Sequence, residues 1–241
     1  SLWYDHDNDG IGMGNTFSDI DCIDSNNCIA LSNMNKVWPW IIKTSDGGHS
    51  WDTVLTNYEF YLPKMERCVY VSEDFCIATA EWGNYWISRD NGLTWEKGKI
   101  ETENGYNLMR ADFVNDDFGA VMTFTELFVT LDGTDTWSRK KWPKNKLVDT
   151  LVQAARDFQI MEPDIFLVLF IDLEDGEKFY LARSEDDGES WKMSYIVDFK
   201  TANIQSIYFI DENTGWAAGQ RSVSNNIDRD IIYKTTDGGD S

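Results

Sequence analysis

With 241 residues, 14% aromatic, including 11 tryptophans against only 4 prolines, the chain has material for a sizeable core and is not composed like a disordered one. A formal net charge of −21 makes nucleic acid a poor partner, since phosphate binding needs a basic surface. The longest apolar run, residues 165–171 (IFLVLFI), is too short for a membrane span and reads as a buried strand. With neither an initiator methionine nor a signal peptide, the chain reads as a processed or excised piece.

In chain order, Asp5, Asp7 and Asp9 come first, at alternating positions before Gly10. Carboxylates so spaced resemble the front half of a calcium loop and make Ca²⁺ a candidate cofactor. Gly12 and Thr16 fall at the loop's eighth and twelfth positions, so no bidentate acid closes it, and a solvated acidic connector is the competing reading. Cys22 and Cys28 flank one turn-rich segment, and Cys68 and Cys76 flank another. Even separations put both partners on one face of a hairpin, which predicts two local disulfides and an oxidising compartment outside the cytoplasm. Four buried free thiols are the alternative. Zinc is disfavoured, because neither pair is CxxC and His6 and His49 are the only histidines.

One octapeptide pattern, [ST]-x-D-x-G-x-[ST]-W, then recurs. It reads TSDGGHSW at 44–51, SRDNGLTW at 88–95, TLDGTDTW at 130–137, SEDDGESW at 184–191 and TTDGGDS at 235–241. The aspartates are Asp46, Asp90, Asp132, Asp186 and Asp237; Gly92 and Gly188 sit two residues on, where the third copy has Thr134. A fixed motif at a spacing of about 40–55 residues signals a repeat architecture. Aspartate bonds backbone N–H groups ahead of it, serine or threonine adds weaker bonds, and glycine takes the positive φ that a tight turn needs. Trp51, Trp95, Trp137 and Trp191 then open the next strand, and apolar runs precede each turn, so the motif is a hairpin turn.

A second frame falls about halfway between these turns. Residues 20–30 (Cys22 to Cys28), 111–121 (Phe113 to Gly119) and 207–217 (Phe209 to Gly215) align as strand, Asn/Asp turn and small-residue strand, and residues 69–78 fit the same frame.

The octapeptide resembles the Asp-box, or BNR repeat, of sialidase-like β-propellers, and residues 211–219 followed by TTDGG are similar to photosystem II assembly-factor-like propellers. The resemblance implies an all-β β-propeller of about five four-stranded blades in a single domain over 1–241, with the box between the third and fourth strands. Trp51 precedes Tyr70 by 19 residues, Trp95 precedes Phe113 by 18, and Trp3 precedes Cys22 by 19. Residues 1–4 therefore match a fourth strand, which could close the last blade; the alternative is a piece cut from a propeller of six to eight blades.

Propeller connectivity puts box turns and first-to-second-strand turns on one face. Second-to-third-strand loops and blade connections lie on the other, the face expected to bind. Trp38, Trp82 and Trp142 are its candidate ligand residues, because aromatics with a polar handle suit sugars or peptides. Trp40 and Trp86 are assigned to the core. The basic run Arg139 to Lys146 could dock an anionic partner or be a solvated loop. Sialidases of this family carry an arginine motif before the first box, but the first arginine here is Arg67, after it. The expected function is thus a non-catalytic binding or assembly scaffold for a protein or glycan. The alternative is a carbohydrate-active enzyme with catalytic carboxylates at the channel mouth.

Overall fold

The computed structural model describes residues 15–34, 38–56, 63–140, 153–172, 178–223 and 227–240. These residues form five antiparallel sheets, and the chain divides into two compact units with the boundary after Ala111.

Unit 1 holds two four-stranded sheets, each in simple up-and-down order. The first is β1 (Asn15–Cys22), β2 (Cys28–Met34), β3 (Trp38–Thr44) and β4 (Asp52–Thr56). The second is β5 (Met65–Tyr70), β6 (Cys76–Ala80), β7 (Asn84–Ser88) and β8 (Glu96–Lys99). β9 (Arg110–Phe113) runs across the boundary, and β10 (Gly119–Met122), β11 (Leu127–Thr130) and β12 (Ser138–Arg139) complete its sheet in unit 2. Then come β13 (Gln153–Glu162), β14 (Ile165–Asp172), β15 (Lys178–Ser184) and β16 (Lys192–Asp198). Last are β17 (Asn203–Phe209), β18 (Gly215–Val223) and β19 (Ile227–Thr235). The 165–171 run is β14 and is buried throughout, as its composition predicts.

The repeated turn works as its residue types require. Ser88 Oγ accepts the Gly92 N–H at 2.8 Å and donates to Asp90 Oδ1 at 2.8 Å. Asp90 also accepts the Thr94 N–H at 2.8 Å and the Thr94 hydroxyl at 2.6 Å. Asp46, Asp132 and Asp186 make the same set with Ser50, Thr136 and Ser190. Every copy is bonded to the first-to-second-strand turn of its own sheet. Gly47 donates to Asn26 O, Asn91 to Asp74 O, Gly133 to Asp117 O, Asp187 to Asp164 O and Gly238 to Asn213 O, all within 2.8–3.2 Å. The two kinds of turn thus share one end of each sheet, as the resemblance to propellers implies. Where the pattern's glycine is missing, Thr134 takes φ 83°, a left-handed geometry that costs a side chain with a Cβ about 1–2 kcal/mol. Thr134→Gly is therefore expected to raise stability by roughly 1 kcal/mol in urea denaturation.

Within each unit neighbouring sheets are stitched by side chains of their first strands. Asp21 accepts the Tyr70 N–H at 2.7 Å and Asp19 that of Cys68 at 3.0 Å. In unit 2, Asp112 accepts the Ile160 N–H at 2.7 Å, Asp157 that of Ile207 at 3.0 Å and Gln159 that of Phe209 at 2.7 Å. Between these clasps lie the cores: Ile29, Leu31, Ile41 and Trp86 in unit 1, and two clusters built on opposite faces of β14 in unit 2.

One expected disulfide forms and the other does not. Cys22 and Cys28 oppose each other across β1–β2 with Cα atoms 4.0 Å apart and are bonded. Cys68 and Cys76 are buried free thiols. Cys76 opposes Tyr70 and Cys68 opposes Ala78, so the two share a face but sit diagonally, beyond reach of an S–S bond. Burial pushes both thiols up, Cys76 to about 12, which makes them inert. The Cys22–Cys28 position is held differently in unit 2, where the Phe113 and Phe209 rings lie 2.1 and 2.5 Å from where a Cβ on Gly119 or Gly215 would stand.

Candidate functional site

At the end of the second sheet away from its repeated turn, β6 is joined to β7 by only Glu81, Trp82 and Gly83. So short a link forces left-handed backbone: φ is 61° at Trp82 and 73° at Gly83. Gly83 has no alternative, since a Cβ there would stand 2.0 Å from the Ile100 carbonyl oxygen. Trp82 carries a bulky side chain in a conformation that such residues rarely adopt, and the residue is 49% exposed.

The segment is pinned from several sides. Asn107 Oδ1 accepts the Trp82 N–H at 3.3 Å, and Asn84 Nδ2 donates to Glu81 O at 2.8 Å. Glu81 donates its N–H to Lys64 O at 3.0 Å and Leu108 donates to Ala80 O at 3.0 Å. Asn107 Nδ2 also donates to Glu66 Oε1 at 3.1 Å. Glu66 sits in the register shift between Met65 and Arg67 on β5, a bulge that re-aims its side chain. Burial raises the Glu66 carboxyl above its ordinary value, and the Glu81 charge adds to this, against the Asn107 bond and the Lys64 and Arg67 charges. Tyr106, 36% exposed, precedes Asn107, so this end of the sheet gathers two exposed aromatic residues and the interacting carboxylates of Glu66 and Glu81. It suits a ligand with a flat or apolar body and a cationic or hydroxyl-bearing edge.

Unit 2 repeats the plan with other chemistry. Phe124, 38% exposed, follows β10, and its carbonyl accepts the Ala155 N–H at 2.9 Å, as Ala80 O accepts that of Leu108. The bulge position on β13 holds Arg156. Sequence reasoning missed Phe124; its place between a second and a third strand was the available signal.

Of the three candidate ligand tryptophans, only Trp82 is described at side-chain level. Trp38 begins β3. Trp142 lies outside the described residues, as do Asp5, Asp7 and Asp9, and so does the proposed strand at residues 1–4. Trp86 is core, 4% exposed. In the basic run, Arg139 pairs with buried Glu126 at 3.4 Å and Lys140 with Asp187, so these two serve unit 2 internally. Among the described residues, no group of three or more His, Cys, Asp or Glu is placed to hold a metal, and no helix is long and apolar enough to cross a membrane.

No protein-family model and no curated protein sequence matches the chain. Solved structures do. YCF48 bound to D1 peptide matches with a TM-score of 0.62 at 12% identity, over 99% of this chain and 67% of that one. The GH74 xyloglucanase from Xanthomonas campestris matches with 0.62 at 12% identity, over 88% of this chain and 35% of its own. A COPII outer-coat chain assembled on membranes matches with 0.61 at 8% identity, over 85% and 56%. The chain spans about a third of the xyloglucanase. The fold is a β-propeller that resembles these proteins.

Proposed function

We propose that the chain is a non-catalytic binding or assembly scaffold that works outside the cytoplasm. In this reading each of the five sheets is a blade of one propeller, and the repeated turns are Asp-boxes. The partner is a protein segment or glycan held at the sheet ends opposite those turns. The observation that carries the reading is Trp82: a half-exposed tryptophan whose left-handed backbone is held by Asn107, Asn84 and Gly83. Backbone strain of this kind persists only where the surroundings over-determine it, and it clusters at ligand sites. A backbone pinned in this way also loses little freedom on binding. Two of the similar structures support the range of partners, one bound to a peptide and one named for a glycan. The Cys22–Cys28 disulfide supports an oxidising compartment.

The full chain screened on peptide and glycan arrays is expected to return ligands whose binding falls at least ~10-fold in Trp82→Ala, with an unchanged melting curve. Ligands that bind Trp82→Ala as well as the wild type would remove this reading. One observation favours an enzyme instead: Glu66 and Glu81 interact, and Glu66 is raised, as in acid/base carboxylate pairs. Turnover of aryl-glycosides that Glu66→Gln abolishes would establish the enzyme and overturn the scaffold.

A further inference from the structure

The clasps between sheets set corresponding positions on the first strands. Asp21, Asp112 and Gln159 accept the N–H groups of Tyr70, Ile160 and Phe209 on the next sheet, so Tyr70, Phe113, Ile160 and Phe209 correspond. Four residues before these positions, in register shifts of their strands, stand Glu66 in unit 1 and Arg156 in unit 2. Six residues before them stand Asn107 and Asn203. In unit 1 this pair of positions is joined, Asn107 Nδ2 donating to Glu66 Oε1 at 3.1 Å.

In unit 2 the same pair is left open. Arg156 Nε and Asn203 Oδ1 are buried and have no hydrogen-bond partner, and neither has Thr125 Oγ1 in the loop whose Phe124 carbonyl takes the Ala155 N–H. Buried polar groups are nearly always paired, and an orphan calls for an occupant. Among the described residues no carboxylate pairs with Arg156, although the chain has 42 acidic residues. Arg156, Asn203 and Thr125 are each only partly buried as whole residues, so a ligand can reach them.

The orphans specify the ligand. A water molecule would satisfy the two atoms but leave the guanidinium charge unpaired, whereas a carboxylate pairs it. A carboxylate has no hydrogen to give Asn203 Oδ1, so the ligand also carries a hydroxyl. Thr125 Oγ1 can donate or accept, and exposed Phe124 suits an apolar ring face. We infer that Arg156, Asn203, Thr125 and Phe124 form a binding site for an acidic sugar, the uronic-acid unit of a polysaccharide. Its carboxylate pairs with Arg156 and a ring hydroxyl donates to Asn203. The site shares no residue with that around Trp82, so neither reading depends on the other.

The test titrates a fluorescein-labelled uronic-acid trisaccharide into the full chain, read by anisotropy. Saturable binding is expected, weakened at least ~10-fold when the carboxyl groups are reduced to alcohols. An N-acetylated, C-amidated glutamate tripeptide of equal charge is expected to bind at least ~10-fold more weakly than the sugar. Arg156→Met should weaken binding similarly without lowering the melting temperature, because it removes a buried donor that nothing in the fold satisfies. In the wild type the Arg156 Nε–H resonance should shift on binding and exchange more slowly with water, a readout that no folding defect can mimic. Absence of binding would overturn the inference, as would equal binding of the reduced sugar or of the glutamate peptide. An unmoved Arg156 resonance would do the same. So would binding that appears only when Glu174, Asp175 and Glu177 are made amides, since the chain's own acids would then be the occupant.

Discussion

Gly83→Ala is expected to lower stability by about 3–5 kcal/mol and the melting temperature by roughly 10 °C. Two costs combine. An alanine at φ 73° pays about 1–2 kcal/mol for left-handed backbone. Its Cβ would also meet the Ile100 carbonyl oxygen at 2.0 Å, with more backbone at 3.2 Å, and neither can swing aside as a flexible side chain would. Separation must come from the chain itself, through the Ile100 N–H to Gly83 O bond of 2.8 Å. Losing that bond adds about 1 kcal/mol, and the movement carries Trp82 with it, so the binding proposed at Trp82 should fall as well. A melting temperature within 2 °C of the wild type would show that residues 81–83 are not held against residue 100.

Asp112→Asn is expected to behave in the opposite sense at neutral pH, stabilising the chain by about 1–2 kcal/mol at pH 8. Burial pushes the Asp112 carboxyl up to about 6, outweighing its bonds from the Ile160 and Phe113 N–H groups, and the nearby Asp157 charge adds to the rise. Below about pH 4 the group is protonated in both the folded and the unfolded chain, and its contribution is fully present. As pH rises towards 6 the unfolded chain ionises first, so that contribution is lost, a change of about 3 kcal/mol for a shift of about two units. Asparagine stays neutral throughout. It offers one oxygen to two backbone donors, however, which costs about 1 kcal/mol at every pH. Urea denaturation of both proteins from pH 4 to pH 8 should therefore show the variant weaker in acid and stronger above pH 6. A constant gap between the two curves would mean that Asp112 titrates as an exposed carboxylate does.

The repeated turns were legible because their bonds are local: Ser88, Asp90, Gly92 and Thr94 satisfy one another within seven residues. The first-to-second-strand frame was legible for the same reason. The second disulfide was misjudged because parity along a strand gives the face and not the opposite number. Yet the frame that aligns Cys22 to Cys28 with Phe209 to Gly215 already sets Tyr70 against Cys76, so the sequence held the correction. The clasps could not be read. Asp21 and Asp112 bond the backbone of strands 48–49 residues further on, and a backbone N–H leaves no mark on residue type. Trp82 was found as a loop aromatic, but its left-handed backbone and the bulge that turns Glu66 towards Asn107 depend on register with a neighbouring strand.

The turn carboxylates also govern how the surface charge behaves in acid. Bonds from Ser190, Ser184 and the Ser190 N–H hold Asp186 down to about 2, and the equivalent bonds lower Asp46, Asp90 and Asp132. Their support of the fold is fully present above the ordinary carboxylate range near pH 4 and fades as pH falls from there through these lowered values. Near pH 3 most other acids have taken up protons, while lysine and arginine stay charged. Each unit then becomes electrically lopsided, with anions kept where its turns cluster and cations predominating elsewhere. At neutral pH that asymmetry is hidden beneath the general excess of acid.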